Sequence, residues 1–134
     1  SYKLDETGMS EARVGKYEIE PGTDKNLNND IPLVRYADIL LMKAEARIRQ
    51  GLNGDQFVNL VRVRAGVSSW SGTTLNMILA ERGREMFCEG HRRQDLIRFK
   101  KFHDPWWEKK ASSTDQSTFP IPQWAIDANP NLGL

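Results

Sequence analysis

Eight side chains between positions 81 and 98 could act together chemically: Glu81, Arg82, Glu85, Glu89, His91, Arg92, Asp95 and Arg98. His91 and Asp95 stand one helical turn apart, the spacing at which an imidazole and a carboxylate can share a metal or a proton. Two ligands do not make a zinc site, however. No HExxH pattern or second histidine cluster supplies the rest, and His103 sits just before a proline-containing loop. The charges also have a plainer reading. Glu81 with Arg84, Arg82 with Glu85, Glu89 with Arg92 or Arg93, and Asp95 with Arg98 all lie three or four residues apart, where opposite charges on a helix attract. The expected role of Glu81, Arg82, Glu85, Glu89, Arg92, Asp95 and Arg98 is therefore a structural ion-pair network, without a metal.

Nucleophilic chemistry has little to start from. There is no phosphate-cradling glycine loop, no GxSxG elbow, and no nucleophile with a base beside it in sequence. Cys88, between Phe87 and Glu89, has a thiol, but a small buried apolar side chain is the commoner role for such a residue. The expectation is no enzyme and no cofactor. The four tryptophans pose a sharper question, because an exposed indole can stack on the C–H face of a sugar ring as well as fill a core. Trp106 and Trp107 are adjacent and so point apart, and Glu108-Lys109-Lys110 follows them, so at least one ring should be partly exposed. Trp70, in the Ser-rich loop 68–72, is a third ligand-contact candidate, and Trp124 is expected to cover the terminal turn.

These residues need elements to place them. From Leu33 to about Arg49, apolar Tyr36, Ala37, Leu40, Leu41, Ala44 and Ile48 recur at helical spacing, and Gly51 suits a left-handed stop. At 1.5 Å per residue this helix spans about 22 Å, and Ile39, Met42 and Ala46 widen its apolar stripe toward neighbours on two sides. Asp55 can cap a second helix carrying Phe57, Val58, Leu60, Val61 and Ala65, with Gly66 ending it. The pair makes a helical hairpin on the roughly thirty-four-residue scale of a tetratricopeptide unit, without that repeat's consensus Trp and Pro. Thr73 or Thr74 caps a third helix through Leu75, Ile78, Leu79, Arg82, Met86 and Phe87. Gly90 interrupts it, and residues 91–101 continue as a fourth stretch. The expected buried set is Tyr36, Leu40, Ala44, Phe57, Leu60, Val61, Leu79, Met86, Phe87, Leu96 and Ile97. Beyond Pro105, the prolines at 120, 122 and 130 forbid long elements. Residues 119–122 should form an extended apolar strap, and Asp127 and Asn129 a turn. Before residue 30 the chain is polar and loop-like, apart from an alternating stretch at 13–20 that suggests a strand or hairpin.

Composition bounds the partners. The 134 residues suit one domain, 1–134, with a modest core. A net charge of +1 lacks the basic excess of an autonomous nucleic-acid binder, so no nucleic-acid partner is expected. The single cysteine excludes an internal disulfide. The sequence has no apolar run long enough to cross a bilayer as a helix.

Four segments in order carry a resemblance: IPLVRYADILLMKAEA at 31–46, VRVRAG at 61–66, ERGREMFCEGHRRQDLIRF at 81–99 and FPIPQWAIDANPNL at 119–132. Together they resemble the carboxyl-terminal part of the SusD/RagB nutrient-uptake proteins of bacterial outer membranes. The resemblance implies a mostly α fold of tetratricopeptide-like helical hairpins with a small strand element and long ordered carboxyl-terminal loops. It implies a surface lipoprotein, several hundred residues long, that captures an oligosaccharide or other nutrient without cleaving it and passes it to a SusC-like TonB-dependent transporter. With neither a signal peptide nor a lipid-modified cysteine at its start, the chain reads as a carboxyl-terminal piece of such a protein, mainly scaffold. The family's sugar-contacting residues lie largely elsewhere and vary, so none is carried over onto this sequence. A helical protein-docking module with no sugar contact is the alternative.

Overall fold

The computed structural model describes Lys16 and residues 32–132. The chain divides into two units, Ser1–Leu33 and Val34–Leu134, and the architecture below is that of the second. The stretch at 13–20 expected to form a strand lies outside the described residues, except for Lys16.

Five helices follow in order: α1 Tyr36–Arg49, α2 Asp55–Arg64, α3 Leu75–Glu85, α4 Arg92–Arg98 and α5 Gln123–Ala128. The fold is mostly helical. α1 packs on α2 and α3, and α3 on α4. The core follows from helical spacing: Ala37, Leu40, Leu41 and Ala44 on α1 meet Val58 and Val61 on α2 and Ile78 on α3. Ile48, Phe57, Trp70 and Phe99 close over this cluster from its edges.

The turn between α1 and α2 is tight because of two glycines. Gly51, at φ 74°, ends α1 with its N–H on Ile48 O and that of Leu52 on Arg47 O, a left-handed stop that other residues adopt only with strain. Gly54 has a different reason: a Cβ there would come within 2.8 Å of Ala44 O and 3.0 Å of Ile48 Cδ1, so α2 approaches α1 only because no side chain intervenes. Thr74 caps α3, its Oγ1 accepting from Met77 N at 3.3 Å.

Several boundaries and burials differ from expectation. Asp55 is the first residue of α2 and not its cap, since Gly54 takes the cap position. Its carboxylate instead accepts from the N–H groups of Gly72 (2.9 Å) and Thr73 (2.8 Å), tying the start of α2 to the approach to α3. α3 ends at Glu85, with Met86 as its cap residue, and Cys88 and Gly90 both take positive φ. The turn made there carries Phe87 and Cys88 off the packed face. Both are exposed, against the buried roles expected of them. Tyr36 and Leu60 are exposed as well: the stripe of α1 that meets its neighbours begins at Ala37, and on α2 Val58 and Val61 turn inward, leaving Leu60 outward. Of the remaining expected set, Leu40, Ala44, Val61, Leu79, Met86 and Leu96 are buried and Phe57 and Ile97 half-buried.

After α4 the chain runs to α5 with only a short 3-10 turn at Thr114–Ser117. Lys100, at φ 57°, turns it off the helix, with Lys101 N–H donating to Leu96 O at 2.7 Å.

Candidate functional site

The charged residues of α3 and α4 meet partners on α1 and α2 more than one another. Arg82, almost wholly buried, donates from Nε to both Asp95 carboxylate oxygens at 2.9 Å and from Nη1 to Asp38 Oδ1 at 2.7 Å. One guanidinium thereby bridges α3, α4 and α1. Asp95, 1% exposed, also accepts from Arg98 Nη2 at 2.7 Å, and Arg98 grips Glu45 of α1 through Nε (2.9 Å) and Nη2 (3.0 Å). Arg49 adds a bond to Glu45 at 2.8 Å. Burial pushes the Glu45 carboxyl pKa up, but Arg98 and Arg49 overcome it and hold it below its ordinary value.

A second cluster joins α2 and α3. Glu81 Oε2 accepts from Arg62 at 2.7 Å and from Arg84 at 2.6 Å. A third gathers at the end of α3, where Arg35 contacts Glu85 (3.0 Å) and Glu89 (2.8 Å), while Arg64 reaches Glu85 at 2.8 Å. The Glu89 bonds raise the Arg35 pKa most, against desolvation. Arg92 donates to Leu79 O at 2.8 Å, its guanidinium lying where a side chain on Gly83 would stand. Of the helical pairings read from spacing, Glu81–Arg84 and Asp95–Arg98 are present. Asp38 and Glu45 were not singled out by sequence. Their signal was an acidic residue three before and four after Leu41, set into an apolar stripe where a lone charge is costly and a partner must be found.

His91 has no place in these clusters, and no group of three or more potential metal ligands occurs among the described residues. Glu81 and Glu85 border an open groove, but the carboxylates of the clusters are held by arginines, so the arrangement offers rigidity more than acid–base chemistry.

The tryptophans separate into two kinds. Trp70 is half-buried: Arg62 lies over its ring at 3.7 Å, and Asn59 bonds its backbone N–H and carbonyl, each at 2.8 Å. Its ring also walls an open groove with Arg62, Ala65, Glu81 and Arg84. Trp106 and Trp107 are 47% and 70% exposed. They begin a tight turn in which Trp106 and Lys109 exchange backbone bonds of 3.1 and 2.9 Å and Glu108 takes φ 62°. Lys109 Nζ sits 4.3 Å from the Trp106 ring centre, so that ring has a cation over one face, while Trp107 stands further into solvent. Trp124 is exposed on α5 and does not act as the cover expected of it.

A shallow apolar groove between α1 and α2 is walled by Tyr36, Leu40, Leu60 and Val61, with Arg35 and Arg64 at its margin. No helix among the described residues is long and apolar enough to cross a membrane.

Comparison with known proteins takes in the first three of the resembling segments, with 119–132 beyond the matched profile. The sequence profile of the SusD family matches residues 8–117. The starch-binding protein SusD of Bacteroides thetaiotaomicron is 34% identical over 115 residues, covering 78% of this chain and 21% of that protein. The SusD-like protein P38 of Formosa agariphila is 28% identical over 144 residues, covering 94% of this chain and 28% of that protein. The chain thus spans about a fifth to just over a quarter of the length of these relatives.

Proposed function

Since this chain belongs to the SusD family, we propose that it serves in the non-catalytic capture of a glycan or other nutrient at the bacterial outer membrane. In this reading a lipid anchor holds the full-length protein at the cell surface and a SusC-like TonB-dependent transporter receives the ligand. The observation that carries it is the similarity to a starch-binding protein along most of the chain. The chain's own contribution is mainly scaffold, the three arginine–carboxylate clusters linking four helices to one another. If it touches ligand, Trp107 is the ring we assign to stacking, with Trp106 beside it. Polar Asp104, Glu108 and Lys110 stand nearby in sequence for hydroxyl contacts, whereas Trp70 is already stacked under Arg62.

The test is calorimetry with a malto-oligosaccharide, run on residues 1–134 and on a full-length SusD-family protein that contains them, together with an assay for release of reducing sugar. The longer protein should bind, residues 1–134 should bind weakly or not measurably, and neither should hydrolyse the sugar. Tight binding by residues 1–134 alone would move the recognition surface into this chain, and hydrolysis would end the non-catalytic reading. A second reading, protein docking without sugar contact, draws on the exposed Tyr36 and Leu60 beside the α1–α2 groove. It gains if Trp107→Ala leaves sugar affinity of the longer protein unchanged while Leu60→Asp abolishes association with the transporter.

A further inference from the structure

The segment from 103 to 117 is cross-linked to itself more densely than an irregular loop needs. At its base the Ser112 N–H donates to His103 O at 3.2 Å. The His103 ring is held on both edges, with Nε2 2.6 Å from Ser117 Oγ and Nδ1 3.3 Å from Ser112 Oγ. Inside the loop the Lys109 ammonium donates to Asp104 O, Lys110 O and Ser112 Oγ, each at 3.2 Å. It thereby spends its three protons on the loop itself. The far side is fastened to the helical body by Arg93 of α4, which donates to Gln116 O (3.2 Å) and Ser117 O (3.1 Å) and lies over the Phe102 and Phe119 rings at 5.2 and 4.4 Å from their centres. Phe102 in turn meets the His103 ring edge-on.

What all this holds in place is the Trp106–Lys109 turn, whose largest feature is the outward Trp107. Exposed indoles on a loose loop would lose conformational freedom on meeting a ligand, and a loop already closed avoids that cost. We infer that His103, working through Ser112 and Ser117, is a positioning residue that keeps the Trp106–Trp107 turn in one conformation, preformed for contact with a sugar ring. The inference rests on the assignment of Trp107 to ligand stacking, and its experiment separates the two.

Two readouts are needed. The first requires no ligand: in nitrogen-15 spectra of residues 1–134, the indole N–H signals of Trp106 and Trp107 should move toward unstructured positions and sharpen in His103→Ala and Ser117→Ala. Signals from Leu41 and Ile78, in the helical core, should stay in place. Ser117→Ala removes only a hydroxyl and guards against a His103 variant that fails to fold. The second is malto-oligosaccharide affinity in the full-length protein, where Trp107→Ala should lose binding and His103→Ala should weaken it by about three- to tenfold, the size of an ordering cost of one or two side chains. Indole signals unmoved in both His103→Ala and Ser117→Ala would overturn the positioning role. So would an affinity within twofold of the parent protein's in His103→Ala while Trp107→Ala abolishes binding. Indole signals that do move, with Trp107→Ala binding as well as the parent protein, would leave His103 organising the turn and remove Trp107 from the ligand site.

Discussion

Asp95 and Arg84 show how differently two ion-pair residues in one region can matter. Asp95 is buried and accepts from both Arg82 and Arg98, so Asp95→Ala leaves the buried Arg82 with Asp38 as its remaining carboxylate partner. We expect a loss on the order of 3 kcal/mol, because the buried Arg82 Nε–H is left without its acceptor and the cluster is one negative charge short. The exposed side chain of Arg84 pairs with Glu81, which also has Arg62, and Arg84→Ala should cost under about 1 kcal/mol. Urea unfolding of the two variants measures both, and equal losses would mean that the Arg82 centre is not the buried hub described. Sequence spacing placed Asp95 beside Arg98. It said nothing of Asp38 or Glu45, because charges 44 and 53 residues apart meet only through the packing of α1 on α3 and of the chain after it.

At the scale of elements, the joints decide more than the helices. Gly54→Ala would set a methyl 2.8 Å from Ala44 O, and since that atom is backbone the helices must part, at a cost of roughly 1–3 kcal/mol. Gly51→Ala meets open space and carries only the strain of positive φ, about 1 kcal/mol. Thermal melts of both variants should rank them in that order. The second joint is Asp55. Thr73 and Gly72, whose backbone N–H groups donate to it at 2.8 and 2.9 Å, hold its carboxyl at about 2, against an ordinary 3.8. A depressed carboxyl pKa gives stability that is fully present above the unfolded value and is lost as pH falls through the folded one, here between about pH 4 and about pH 2. Asp55→Asn should therefore melt below the parent protein at neutral pH, with the gap closing in that acid window. A gap that stays constant to pH 2 would remove Asp55 from the joint.

For the whole molecule, the family and the helical class were legible early because both are written in local patterns. Apolar residues at three- and four-residue spacing marked α1 to α3, and glycines at 51 and 66 marked two helix ends where the backbone does take positive φ. The joint prediction at this scale is that residues 1–134 release no reducing sugar from starch and bind malto-oligosaccharide far more weakly than a full-length protein containing them. Side-by-side calorimetry decides it.

By itself, then, the sequence determined the four helical stretches α1 to α4 and where two of them stop, since those depend on neighbours within a turn or two along the chain, whereas the short helix α5 stands where a turn at Asp127 and Asn129 was expected. It also determined that the charged residues of 81–98 had opposite charges within a turn's reach. Tertiary structure alone decided which face of each helix went inward, so that Ala37 and not Tyr36 begins the buried stripe and Leu60 points out while Val61 points in. It decided that Arg82 would bind three helices together, and that Trp70 would lie beneath Arg62 while Trp107 stayed open. The reason is the same each time: burial and long-range pairing depend on what another part of the chain brings to within a few ångströms, and periodicity along one helix carries no record of it.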